Sequence, residues 1–334
     1  MDQGDEPLAR EVFNEIRALT RRARVARIEL PALPNPGSQV WHILLMESQW
    51  PMLEKFTISA IPNYETGILE HIPLSASLTT LYLKDFWLEW SAVDPIVPSL
   101  RTVTLAPSHI RKITPRHLVT AVEKMPNVEE LELVAVELST RHADPVTLLC
   151  PNLHKLRVRL KLPLGSERIL TFRVPSLLEA KFKLMDWGRP GVALHLLRTS
   201  LNAPALCRLS LATFTHIDEE WLRALKEFRC LEELRLKVLG KVDGQVTKEF
   251  LEGFTVAGPS GWTCPRLVCL RLKYSYSYYD WVPPALLKLV RARNAAAAGN
   301  AGVARLQQVT LRWVQFDAAE RVDAFEASLR ELLS

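Results

Sequence analysis

The sequence is poor in the residues that mark many functional classes. It has 13 glycines in 334 residues, and none builds a phosphate-cradling loop. Neither GxxxxGK[ST] nor GxGxxG occurs, and Gly240, Lys241 and Gly244 in LGKVDG fit neither pattern. The five cysteines (Cys150, Cys207, Cys230, Cys264 and Cys269) are odd in number and widely scattered. They form no disulfide framework, and a reducing compartment, cytoplasm or nucleus, is expected. HExxH and CxxC are absent, and Cys264 with Cys269 lacks a second pair to complete a four-ligand metal set. The longest apolar runs, such as WHILLM from Trp41 to Met46, are too short to span a bilayer. The opening MDQGDEPLAR is acidic and polar, so no secretory signal is expected. Charge of one sign is scarcely in excess: 42 Lys and Arg against 37 Asp and Glu give +5. That balance permits an acidic partner without requiring nucleic acid. His142 with Asp144 and His216 with Asp218 are acid–base pairs by residue type, but no GxSxG turn accompanies them and GPSGW at Gly258 lacks the spacing. They read as polar turn residues, with Asp218 capping a helix. The expectation is a chain with no catalytic, cofactor or metal site.

What the sequence does have is a repeat. The pattern is often Pro, then an apolar residue two positions on, then x-x-apolar-x-apolar. Clear copies are PSLRTVTL from Pro98, PNVEELEL from Pro126, PNLHKLRV from Pro151, PALCRLSL from Pro204 and PRLVCLRL from Pro265. Weaker copies are ARVARIEL from Ala23, PMLEKFTI from Pro51, ASLTTLYL from Ala76, PSLLEAKF from Pro175, RCLEELRL from Arg229 and ARLQQVTL from Ala304, making eleven. The first apolar positions run from Val25 through Leu53, Leu78, Leu100, Val128, Leu153, Leu177, Leu206 and Leu231 to Leu267 and Leu306. Most steps fall in the range of roughly 20–29 residues that defines leucine-rich repeats, and the last two carry insertions. The final apolar-x-apolar has strand periodicity, with two residues inward and the one between them outward. One unit cannot bury its own apolar side, but stacked units make a parallel sheet over a continuous core. The spacing therefore predicts an α/β class: a right-handed leucine-rich-repeat horseshoe, its parallel sheet on the concave face and helices or irregular turns on the convex face.

Helical return segments are predicted at Thr114 to Met125, at Ile217 to Phe228 with Asp218 as N-cap, and at Val282 to Arg293. Arg291 to Arg305 is Ala-rich and predicts a helix end followed by a flexible loop. A solenoid needs capped ends. Residues 1–22 predict an N-terminal cap helix with Leu8, Val12, Ile16 and Leu19 on one stripe. Residues 23–316 form the solenoid, and residues 317–334 a C-terminal cap helix with Val322, Phe325, Leu329 and Leu332 inward and Asp317 as N-cap.

Charge is distributed unevenly over the outward strand positions. The early copies are mixed. The sixth to tenth give Lys155, Arg157, Arg159; Glu179, Lys181, Lys183; Arg208, Ser210, Ala212; Glu233, Arg235, Lys237; and Cys269, Arg271, Lys273. Ten of these fifteen are Lys or Arg, against 42 in the 334-residue chain. With strands about 4.8 Å apart, they predict a contiguous basic strip. The strip is either a binding surface for an acidic or phosphorylated protein segment or a solvated face that keeps the sheet soluble. KYSYSYYDW after the tenth strand puts Tyr274, Tyr276, Tyr278, Tyr279 and Trp281 on a rim loop. Tyr276 and Tyr278 are candidate interface anchors there, and the alternative is packing of these rings over the last return helix.

Copies such as PNVEELEL, CPNLHKLRV and CPRLVCLRL, joined by short helices, resemble the leucine-rich-repeat region of F-box proteins, in particular the divergent sets of mushroom-forming fungi. The likeness runs from Arg22 to Phe316. It implies a substrate receptor for ubiquitin ligation that reaches the ligase through the Skp1 adaptor. The residues ahead of the first repeat have only a passing F-box rhythm in PLAREVFNEIRAL and are too few for the multi-helix F-box. The chain as it stands is therefore expected to lack the adaptor-docking module. A nucleic-acid-binding or general scaffold role for the basic strip is the alternative expectation.

Overall fold

The computed structural model describes residues 14–15, 18–30, 50–60, 67–69, 75–90, 97–106, 112–138, 146–161, 170–184, 203–213, 219–238, 244–258, 261–274, 282–299, 301–313 and 319–334. In chain order the strands are β1 (Val25–Leu30), β2 (Lys55–Ala60), β3 (Gly67–Leu69), β4 (Thr80–Lys84), β5 (Phe86–Leu88), β6 (Thr102–Ala106), β7 (Lys112–Ile113) and β8 (Glu130–Leu138). They continue with β9 (Val146–Leu149), β10 (Lys155–Lys161), β11 (Leu170–Arg173), β12 (Glu179–Leu184), β13 (Arg208–Thr213), β14 (Glu233–Val238), β15 (Cys269–Tyr274) and β16 (Gln308–Trp313). The helices are α1 (Pro115–Glu123), α2 (Glu219–Leu225), α3 (Gly244–Glu252), α4 (Val282–Ala298) and α5 (Ala319–Leu333).

Nine of the eleven copies begin with a tight turn, and seven of the nine share one form; in the last copy Leu306 N donates to Asn294 Oδ1 instead. The N–H of the first apolar residue donates to the carbonyl three residues back: Leu53 to Trp50, Leu100 to Val97, Val128 to Met125, Leu153 to Cys150, Leu177 to Val174, Leu206 to Ala203 and Leu267 to Cys264. In all seven the second turn residue is Pro, whose fixed φ suits that position and whose missing N–H costs nothing there. This accounts for the recurrence of proline in so aliphatic a chain. The turn is then tied to its neighbour. Arg24 O accepts from both Glu54 N and Lys55 N, Glu129 O from His154 N and Lys155 N, and Val268 O from Gln307 N and Gln308 N. The same two-to-one bond recurs at every rung, so each turn enters the sheet at a fixed height.

The result is a solenoid built on one parallel sheet, in the order β1-β2-β4-β6-β8-β10-β12-β13-β14-β15-β16, with β7 pairing the far end of β8. The eleven strands on that path coincide with the eleven sequence copies, ten of them in the expected phase and β1 shifted by two residues. One inward column runs Phe56, Leu81, Val103, Leu131, Leu156, Ala180, Leu209, Leu234, Leu270 and Val309. The second runs Ile58, Leu83, Leu105, Leu133, Val158, Phe182, Leu211, Leu236, Leu272 and Leu311, and both are buried throughout. Where Ala180 leaves the first column thin, Phe182 on the same strand fills the second, which conserves volume.

Several local expectations are overturned. The return segments early in the chain are not all helical: β3 pairs β5 and β9 pairs β11 in two small parallel sheets. The β-branched and aromatic content of FWL and VTLL favours strand there. Helix α3 lies where no helix was predicted; the Ala-rich stretch, by contrast, keeps the expected order, a helix end at Ala298 and non-helical residues over 301–305. Val25 is 62% exposed because it takes an outward strand position beside Lys55, while Ala26 and Ile28 of β1 turn inward beside Phe56 and Ile58; the first copy is thus shifted by two residues from its expected alignment. Leu19 is 70% exposed, and Thr20 takes the inward position. Tyr274 does not sit on a rim loop; it ends β15 and is buried. Predicted helix start Thr114 does cap α1, accepting from His117 N while His117 Nδ1 accepts from Thr114 N. Helix α5 buries Phe325 and Leu329 against the core. Leu8, Val12, Ile16, Asp218, Asp317, the His142–Asp144 pair, His216 and the side chain of Val322 lie outside the described residues. Among the described residues, no helix is long and apolar enough to cross a membrane.

The segment leading into β15 is held by Arg293 of α4, which is fully buried. Its guanidinium donates to the carbonyls of Thr263 (3.0 Å), Cys264 (2.9 Å) and Pro265 (3.4 Å) and lies 5.8 Å from the Trp262 ring centroid. Burial lowers the pKa of Arg293 to about 10, still charged at neutral pH. The clamp fixes the turn that launches Arg271 and Lys273.

Replacing Leu156 by Ala should cost roughly 2–5 kcal/mol of unfolding free energy, because the void would join the thin column position at Ala180. Replacing the exposed Lys181 by Ala should change it by less than about 0.5 kcal/mol. Urea titration monitored by circular dichroism measures both.

Candidate functional site

The outward residues of β8 to β16 fall into three rows across the strands, because every strand pair is parallel and in register over them. The first row reads Glu130, Lys155, Glu179, Arg208, Glu233, Cys269 and Gln308. Its signs alternate, and adjacent members neutralise one another: Lys155 to Glu130 at 3.3 Å and Arg208 to Glu179 at 3.4 Å. The second row reads Glu132, Arg157, Lys181, Ser210, Arg235, Arg271 and Thr310. Here Arg157 reaches Glu132 at 3.9 Å, while Arg235 and Arg271 share Glu233 at 2.7 and 3.3 Å. The third row reads Arg159, Lys183, Ala212, Lys237, Lys273 and Arg312, with no carboxylate among them.

Charge is therefore graded across the face rather than spread evenly. Burial alone would raise the Glu233 carboxyl, but the hydrogen bond and charge of Arg235, with Arg271 beside it, hold it below the usual carboxylate value. Its ion pairs are thus present at neutral pH and lost as the pH falls through that lowered value. The Arg235 guanidinium is raised in turn, chiefly by the same hydrogen bond. Lys183 shows the opposite pressure: partial burial lowers its pKa first, and Arg159, Lys237 and Lys181 lower it further. Burial and three neighbouring cations thus act on Lys183 together, in the row that contains no carboxylate.

All ten cationic positions read from the sequence thus lie on one sheet face: Lys155, Arg157 and Arg159 on β10, Lys181 and Lys183 on β12, Arg208 on β13, Arg235 and Lys237 on β14, and Arg271 and Lys273 on β15. Lys155, Arg208 and, in part, Arg157, Arg235 and Arg271 are drawn into ion pairs. Tyr276 and Tyr278 lie outside the described residues. Arg312 on β16 extends the third row one copy beyond the strip expected from the sequence, and ARLQQVTLRW carries it in the same outward phase. Two depressions open on this face. One of about 490 Å³ is bordered by Lys183, Ala212, Lys237, Lys273 and Arg312, and one of about 160 Å³ by Arg157, Glu179, Arg208, Glu233 and Arg235.

The cysteines offer no comparable chemistry. Burial pushes the Cys150 and Cys264 thiols up to about 12, which keeps them protonated. Both sit at the first position of a repeat turn and pack there. Among the described residues, no three His, Cys, Asp or Glu side chains gather as a metal site. Replacing Glu233 by Gln releases Arg235 and Arg271 and should tighten binding of a fluorescent oligoglutamate peptide about fivefold at low salt, equivalent to about 1 kcal/mol. Fluorescence anisotropy titration reads this directly. Compared by sequence, the chain matches no protein-family model and no curated protein.

Proposed function

We propose that this chain is a leucine-rich-repeat protein that binds an acidic or phosphorylated segment of a partner protein on the cationic face of its sheet. In this reading the sheet lines the concave side of a horseshoe whose helices and irregular turns lie outside, residues 1–22 and 317–334 cap its ends, and its role is binding without catalysis. The observation that carries the reading is the carboxylate-free third row, five cations across six adjacent strands. Solvation alone gives no reason for like charges to be stacked in one row while the neighbouring row alternates in sign. Charge-assisted hydrogen bonds to carboxylate or phosphate would relieve that repulsion.

The resemblance to the repeat region of F-box proteins supports a more specific role, substrate recognition for a ubiquitin ligase. The partner would then be the substrate, and Skp1 would have to be reached through a segment other than the repeats. Five free cysteines favour work in the cytoplasm or nucleus. Nucleic acid is the weaker ligand for this face. The described outward positions of its second and third rows carry no aromatic residue on which bases could stack, and the first-row glutamates would face a continuous phosphate backbone.

Reversing Arg157, Lys181, Arg235 and Arg271 to Glu in one folded variant should weaken binding of an oligoglutamate peptide at least a hundredfold. Unchanged affinity would end the proposal. Tighter binding of single-stranded RNA than of the peptide, with a steep salt dependence, would assign the face to nucleic acid instead.

A further inference from the structure

The two lower cationic rows are broken at the same strand. On β13 the outward residues are Ser210 and Ala212, the smallest side chains on this part of the face. Register sets Ser210 between Lys181 on β12 and Arg235 on β14, and Ala212 between Lys183 and Lys237. Four long cations thus flank a floor made of a hydroxyl and a methyl group. The larger and the smaller depression both include Ser210, Lys181 and Arg235 and meet over that floor. We propose that this notch is a seat for one phosphoryl group, the dianion of a phosphorylated serine or threonine in a partner protein, held between Lys183 and Lys237 above Ala212. The proposal rests on the binding role argued above and names the group that fixes the partner's register.

Geometry and charge favour a phosphoryl over a carboxylate at this position. Lys183 and Lys237 lie two strand spacings apart, about 10 Å at the backbone. Their flexible stems can lean inward until both ammonium groups contact one tetrahedral anion at about 2.8 Å. Lysine acts as a point charge with rotatable donors and suits tetrahedral oxygens, whereas a planar carboxylate is matched best by an arginine fork. The nearest fork, Arg235, already gives its Nε–H to Glu233. A phosphoryl brings a charge of about −1.5 to −2 and three acceptor oxygens, enough to engage both lysines with an oxygen left for Lys181 or the Ser210 hydroxyl. A peptide is favoured over a polyphosphate chain because its anionic groups occur only where side chains place them, so Glu179 and Glu233 can face neutral or donor groups on either side of the phosphorylated residue.

The test uses the full chain and three fluorescein-labelled peptides of the form Gly-Glu-Gly-X-Gly-Glu-Gly, with X as phosphoserine, Glu or Ser. At physiological ionic strength the phosphoserine peptide should bind at least tenfold more tightly than the Glu peptide. Ala212→Leu fills the notch without changing charge; it should erase that advantage, so that the phosphoserine and Glu peptides bind this variant equally. Lys183→Met with Lys237→Met should erase it too, so the outcome does not depend on one variant folding. Equal affinity for the phosphoserine and Glu peptides, or a preference that survives Ala212→Leu, overturns the seat while leaving the cationic face intact as an acid-binding surface. If none of the peptides binds, the seat and the broader reading fall together. Vesicles containing phosphoinositide, or single-stranded RNA, binding more tightly than the phosphoserine peptide would overturn the assignment to protein.

Discussion

Everything on the sheet face depends on a backbone hydrogen bond that is not itself on that face. The carbonyl just ahead of each strand accepts two successive N–H groups from the next turn, from Arg24 near the start of the chain to Val268 near its end. The turn, proline-containing in seven copies, presents those two N–H groups at a constant offset from the strand. Strand pairing is thereby locked to the same residue phase at every rung. A slip of one residue anywhere would turn the inward aliphatic column out to water and bring lysine and arginine inside, at a cost far above the net stability of a domain.

That lock converts a one-dimensional sequence preference into a two-dimensional charge pattern. Three outward positions per strand become three rows, and the identities in each row decide its electrostatics. Alternating signs make the first row nearly self-neutral. Glu233 couples the first row to the second by pairing with Arg235 and Arg271. The third row contains no carboxylate of its own, and the pKa of Lys183 is lowered by partial burial and by the neighbouring cations Arg159, Lys237 and Lys181. Isolated surface ion pairs contribute little to stability, so this pattern bears on what the face attracts more than on how firmly the solenoid is folded. Arg293, fully buried, acts on the same face only through the backbone. By satisfying three carbonyls ahead of β15 it fixes where Arg271 and Lys273 emerge.

The periodic part of the fold was legible in the sequence because it is repeated. No single copy such as PSLLEAKF is convincing, yet its phase agrees with that of PNLHKLRV and PALCRLSL on either side, and the strands pair in that phase. The basic strip followed from the same phase. Its internal grading did not, since whether Arg208 meets Glu179 or Arg271 meets Glu233 depends on side-chain reach between strands and not on alternation along one of them. The return segments were less legible. Single passes between strands have no repeated copy to average over, so FWL and VTLL form strand pairs without a signal to announce them, and Gly244 to Glu252 is announced only by the helical spacing of Val246, Phe250, Leu251 and Phe254. Arg293 was opaque for a related reason: an arginine within a basic helical stretch reads as solvated until the insertion before β15 is seen folded over it.

The register between neighbouring rungs is the most direct point of attack. With the half-exposed Cys207 and Cys230 replaced by Ser, cysteines are placed at positions 181 and 210 in one variant, and at 183 and 210 in another. Facing residues lie about 4.8 Å apart and the diagonal pair about 8 Å apart, against a disulfide range of about 4.4–6.8 Å between Cα atoms. Mild oxidation followed by mass spectrometry should find the 181–210 bridge formed rapidly and the 183–210 bridge hardly at all. Preferential formation of the 183–210 bridge, or equal rates for the two, would contradict the in-register stacking on which the cationic rows rest.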